Sequence, residues 1–124
     1  MPIDMTNKKE IIYIYDALCG WCYGFSEVIK AFEENYQSEY NFKVLSGGLI
    51  KGDRIGPIGE MSAYILNAIP HLEKTTGQLI GKAFIDVLKD GTRIQDSNIP
   101  ARALCVFKSI SRGMEIRIAH KIQQ

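Results

Sequence analysis

Reactive and metal-binding residue types are scarce in this chain, whose 124 residues include three cysteines, two histidines and one tryptophan. Three cysteines cannot staple a small secreted fold, so a disulfide scaffold is excluded and a reducing compartment is expected. No stretch approaches the roughly 18 apolar residues of a membrane span. Met1 to Glu10, MPIDMTNKKE, also lacks the apolar core of a signal peptide. The chain therefore reads as soluble and cytoplasmic, with no membrane partner. An excess of one charge is missing too. The net charge is +1 with Lys and Arg scattered, which removes the electrostatic case for nucleic acid. Gly47, Gly48, Gly52, Gly56 and Gly59 fit neither phosphate-loop pattern and read as turn formers.

What is present is an ordinary globular composition, 46% hydrophobic and 23% charged, with length for one core. Residues 10–16, EIIYIYD, form a β-branched and aromatic run too short for a helix, the pattern of a buried strand. Phe25, Val28, Ile29, Phe32 and Tyr36 then recur on one face of an amphipathic helix. NFKVLSGG, residues 41–48, reads as a second strand. Strand, helix and strand make a βαβ unit with parallel strands.

After a Gly- and Pro-bearing loop, residues 49–59, the pattern becomes helical. Met61, Ile65, Ala68, Ile69 and Leu72 share one face. Leu79, Ile80, Ala83, Phe84, Val87 and Leu88 share another, with Thr75 or Thr76 as cap and Asp90-Gly91 as stop. A third helix opens at Ser97-Asn98 with Pro100 in its first turn, and a weaker one covers 115–122. Nothing after Gly48 reads as a strand, and two parallel strands are too few for a stable sheet. The expected class is α/β, with a βαβ half over residues 1–52 and a helical segment over 53–124. Either the chain is cut short or another molecule, such as a second copy in a homodimer, completes the sheet.

Cys19 and Cys22 form a C-x-x-C at the junction between the first strand and the first helix. At a helix N-terminus the first sulfur meets unsatisfied backbone N–H groups and the positive end of the dipole, which favour its thiolate. Cys19 is then the expected nucleophile and Cys22 the resolving thiol. Gly20 and Trp21 bring no positive charge, which points to a potential more reducing than that of the strong periplasmic oxidants. Trp21 either contacts a protein or peptide partner or lids the helix end. A zinc half-site would need two further ligands. His71, Cys105 and His120 are the remaining candidates and form no second pair at ligand spacing, so no metal is expected. Cys105 reads as a buried structural thiol, His71 as a cap or surface residue and His120 as solvent-facing.

The string YIYDALCGWCYGF, Tyr13 to Phe25, resembles the bacterial DsbA-like proteins of the thioredoxin superfamily. The closer likeness is to the FrnE-related branch of predicted protein-disulfide isomerases. The likeness continues through VLSGGLI (Val44 to Ile50), TGQLIGKAFIDVLKDG (Thr76 to Gly91) and DSNIPARAL (Asp96 to Leu104). It implies a thioredoxin-like βαβ half followed by a DsbA-type helical insertion. It further implies Cys19 as nucleophile, Cys22 as its partner, and no cofactor beyond the cysteines. Such proteins also place a cis-proline opposite the pair, at the start of a strand after the insertion. Pro2, Pro57, Pro70 and Pro100 do not fit that place, and the final strands have no counterpart, which suggests C-terminal truncation. The leading reading is a thiol–disulfide oxidoreductase or isomerase acting on protein or peptide thiols and disulfides, with a recycling reductant or oxidant. The alternatives are a glutathione-linked isomerase or transferase of the kappa type, and a non-catalytic truncated module that binds a partner or self-associates.

Overall fold

A computed structural model describes residues 7–124. Pro2 and the first part of the segment weighed above as a leader lie outside the described residues. Strand β1, Lys9–Tyr15, leads into helix α1, Gly20–Tyr36, which crosses over to strand β2, Tyr40–Ser46. The two strands are parallel and in register from Lys9 opposite Tyr40 to Tyr15 opposite Ser46. Their side chains alternate between the two faces of the sheet. Tyr13, Tyr15, Phe42 and Val44 sit on the face packed into the core, while Ile12, Ile14 and Leu45 stay exposed on the other.

The helical segment departs from the sequence reading at two points. A short strand β3, Gly56–Pro57, pairs antiparallel with β4, Ile94–Gln95, in a region expected to hold no strand. Two residues carry no readable period, and Gly and Pro are depleted in strands generally, so the pattern gave no sign of it. Helix α2, Ser62–Thr76, ends at Gly77, whose φ of 76° is left-handed. Helix α3, Lys82–Asp90, starts only after Gly81 as its N-cap. Thr75 and Thr76 therefore close α2 instead of capping α3, and Thr76 Oγ1 donates to Leu72 O. Leu79 and Ile80 lie in the connection, held where Ile80 N–H donates to Glu73 Oε2 at 2.9 Å. Helix α4, Asn98–Ile110, carries Pro100 in its first turn, and α5, Glu115–Gln123, closes the described chain.

Two apolar clusters hold these elements. Ile58, Ile69 and Leu88 pack between α2, α3 and the turn before α2. Tyr15, Ile29, Val44, Leu104, Ile116 and Ala119 join the βαβ unit to α4 and α5. Of the stripe expected on α1, Ile29 is buried and Phe32 packs against the core, but Phe25, Val28 and Tyr36 are exposed. Helices α1 and α2 approach closely at Gly24, where a Cβ would stand 2.6 Å from Thr76 Cγ2.

At Val44 a charged pair covers the outer edge of β2. Val44 N–H donates to Glu115 Oε2 at 2.5 Å, and Lys108 Nζ donates to Val44 O at 2.6 Å. Lys108 and Glu115 lie 3.8 Å apart and are largely shielded from solvent. Side chains thus satisfy strand groups that would otherwise be open to another chain. Among the described residues no helix is long and apolar enough to cross a membrane.

Candidate functional site

The end of β1 and the start of α1 place Cys19 at the N-cap, with φ −87° and ψ 115°. Cys19 N–H donates to Asp16 O at 3.1 Å, which closes the turn between strand and helix. Cys19 Sγ accepts from Cys22 N–H at 3.4 Å, so the sulfur occupies the place of a capping oxygen. Both cysteines are free thiols and half-buried. The Cys22 thiol donates to the Cys19 sulfur, and the Cys22 and Trp21 N–H groups add to that hydrogen bonding. Together they outweigh burial and the nearby Asp16 charge and pull the Cys19 thiol down to about 6. Cys22 is driven the other way. Its hydrogen bond to Cys19, then burial, push its thiol up, while the Asp16 N–H and the Tyr13 hydroxyl oppose this in part.

A polar floor that the sequence did not reveal lies beneath this turn. Asp16 is 5% exposed, yet each carboxylate oxygen has partners. Oδ1 accepts from Leu18 N–H at 2.9 Å and from Ser97 Oγ at 3.1 Å, and Oδ2 accepts from Leu49 N–H at 2.9 Å. Ser97 Oγ also accepts from Ile50 N–H at 2.9 Å, and Ser97 N–H donates to Ile50 O. Gln123 Nε2, from the end of α5, donates to Cys19 O at 2.9 Å and to Asp16 O at 3.4 Å. The loop after β2, the start of α4 and the end of α5 thus converge on the backbone that carries Cys19. An aspartate directly after an apolar strand is the one local sign of this floor. Ser97 and Gln123 are 81 and 107 positions from Asp16 and give none.

On the solvent side, Trp21 is 46% exposed and meets the His71 ring edge-on, with centroids 5.6 Å apart. His71 is therefore an exposed residue within α2 that flanks the motif, and not the cap of a helix end. Gly20 lets α1 approach α2, since a Cβ there would lie 3.1 Å from Leu72 Cδ1. The two remaining candidates correct the sequence reading. Cys105 is exposed, because α4 turns Leu104 inward and leaves Cys105, Val106 and Phe107 on its outer side. His120 is half-buried in the α5 core face beside buried Ala119, and its buried Nδ1 has no hydrogen-bond partner. Among the described residues no three Cys, His, Asp or Glu side chains gather as a metal site.

No protein-family model and no curated protein sequence matches the chain. Solved structures do. The cytosolic disulfide reductase DsbM from Pseudomonas aeruginosa superposes with a TM-score of 0.77 at 28% identity, over 92% of this chain and 52% of DsbM. The fold of the chain is DsbA-like. The same reductase solved with GSH gives a TM-score of 0.71 at 29% identity, over 92% of this chain and 53% of its own. A protein from Nitrosomonas europaea matches with a TM-score of 0.74 over 94% of this chain and 54% of its own; at 23% identity it speaks for the fold alone. The chain spans about half the length of these structures, and over that span it shares the DsbA-like arrangement of βαβ unit and helical segment.

Proposed function

We propose that the chain carries the dithiol site of a thiol–disulfide oxidoreductase acting on protein or peptide disulfides, working in the cytoplasm as a reductase or isomerase. The observation that carries this reading is the seat of Cys19 at the N-cap of α1, its sulfur accepting from Cys22 N–H, with Cys22 one turn behind it. Cys19 is favoured as thiolate at a helix N-terminus, while the adjacent Cys22 is held as thiol. Cys19 is the nucleophile. Its thiolate attacks one sulfur of a substrate disulfide R–S–S–R′, forming Cys19–S–S–R and releasing R′–S⁻. Cys22 then loses its proton and attacks Cys19 Sγ. The Cys19–Cys22 disulfide forms, R–S⁻ departs, and the substrate disulfide has been reduced by two electrons.

The cysteine pair stores those electrons itself, so the exchange needs no cofactor. Exposed Trp21 offers an aromatic face to the substrate chain. A small thiol of the glutathione class returns the pair to the dithiol state. The Pseudomonas reductase solved with GSH supports that choice of reductant. Nothing in the site favours the transferase or non-catalytic alternatives, and a complete cysteine pair argues against the former.

The test is insulin reduction by the dithiol protein with a thiol reductant regenerating it. Turnover above the reductant alone, abolished in Cys19→Ser, is the expected result. Equal rates for the native protein and Cys19→Ser would refute the reading.

A further inference from the structure

Gln123 is the last residue of α5, and its side chain ends at the strand-to-helix turn that carries Cys19. Its Nε2 donates to Cys19 O at 2.9 Å and to Asp16 O at 3.4 Å. Both acceptors are backbone carbonyls with no hydrogen of their own, so the amide faces them with its NH2 and gives one hydrogen to each. Neither carbonyl depends on it. Asp16 O already accepts from Cys19 N–H at 3.1 Å, and Cys19 O from Tyr23 N–H at 3.2 Å. What the amide adds is a tie between the two ends of the turn.

We propose that Gln123 is a positioning residue for the Cys19 thiolate, its amide fixing the peptide plane after Cys19 and covering the carbonyl oxygen of that residue. This rests on the thiol-exchange reading given above and names a group that prepares its nucleophile.

The plane matters because Gly20, the next residue, has no side chain to restrain it. Cys19 sits at φ −87° and ψ 115°, and that ψ decides whether its sulfur meets the Cys22 N–H. The cover matters because a carbonyl oxygen is the negative end of a dipole. Left bare in the same residue as the sulfur, it opposes the thiolate that the helix N-terminus favours. Helix α5 is a firm carrier for the amide, since Ile116 and Ala119 are buried in the main cluster and Glu115 bonds Val44 N–H. Of the titratable groups around the turn, Cys22 and Asp16 act on Cys19, and His71 stands beyond Trp21. On α5 itself, His120 is turned to Gln124. A change at position 123 replaces none of these groups.

The experiment follows alkylation of Cys19 by iodoacetamide in the reduced protein, read on the mass of its peptide as pH is varied. Near pH 5 the rate tracks the thiolate fraction, because the Cys19 thiol lies at about 6. There Gln123→Ala should slow alkylation about threefold. Gln123→Glu keeps the length but loses the donors and adds charge, and should slow it about tenfold. At high pH, with the thiol fully ionised, both should match the native rate. Gln123→Lys restores a donor of similar reach and should react at least as fast as the native protein at the low pH, which also covers poor folding of the other two. Lower stability in urea with unchanged low-pH rates, or equal slowing at low and high pH, would make the amide a structural tie alone and overturn the proposal. A native Cys19 that reacts no faster than exposed Cys105 at the low pH would instead overturn the thiol-exchange reading, and the Gln123 role with it.

Discussion

The two cysteines stand three residues apart in one helical turn, yet their surroundings differ in almost every respect. Cys19 lies on the rim, beside exposed Trp21 and Gly20, and accepts hydrogen bonds from the helix N-terminus. Cys22 packs against the main core, as Tyr13 does. One sulfur is set to react and the other is held back until the first is engaged. A C-x-x-C can thus be asymmetric without a charged residue between its cysteines. Here the asymmetry comes from the turn itself, which points one sulfur at backbone donors and the other into the fold.

The strongest way to probe that difference is to remove the inner sulfur. With Cys22→Ser, attack by Cys19 should proceed but its adduct should persist, detectable as a mixed disulfide by mass spectrometry. Turnover should fall on the order of a hundredfold, because resolution then depends on an external thiol instead of a neighbouring one. Rapid loss of the adduct in this variant would show that Cys22 is not the resolving group.

A smaller effect is expected from the floor that holds the rim in place. Ser97→Ala removes the hydroxyl that joins Asp16 Oδ1 to Ile50 N–H. The protein should lose about 1–3 kcal/mol in urea unfolding, the cost of leaving a shielded polar group unpaired. A loss within experimental error would mean that the floor does not secure the site.

The smallest change belongs to the outer face. Trp21→Ala should alter stability by less than about 0.5 kcal/mol, since the ring is half exposed. It should raise KM for a peptide disulfide a few-fold while leaving the rate with a small aromatic disulfide unchanged. Slowing of both substrates alike would place Trp21 in the thiol chemistry instead of in substrate contact.

Legibility in the sequence followed the same inside–outside division. The βαβ unit could be read because Tyr13, Tyr15, Ile29, Phe32 and Val44 repeat at strand and helix periods. The cysteine pair could be read because it interrupts that pattern at the strand–helix junction. The sides taken by single residues could not. Cys105 neighbours Leu104 in sequence, but a helix turns adjacent residues by about 100°, so one is buried and the other exposed. His120 has the reverse history, since α5 packs its face against α1 and β2 and half-buries a residue in a polar-looking run. Contacts between distant residues were invisible as well. The Asp16–Ser97 bond and the Glu115 and Lys108 bonds to Val44 depend on tertiary packing and leave no local trace.

The poise of Cys19 can be measured directly through the ultraviolet absorbance of its thiolate in the reduced protein as pH is varied. One thiolate should titrate with a midpoint near 6, disappear in Cys19→Ser, and be accompanied by no second thiolate until far higher pH. Because the folded thiol lies below the unfolded value of about 8.5, the reduced form should also lose stability as pH falls from that value through about 6. A midpoint near that of a free thiol, or a low-pH thiolate that survives Cys19→Ser, would contradict the assignment of Cys19 as the poised nucleophile.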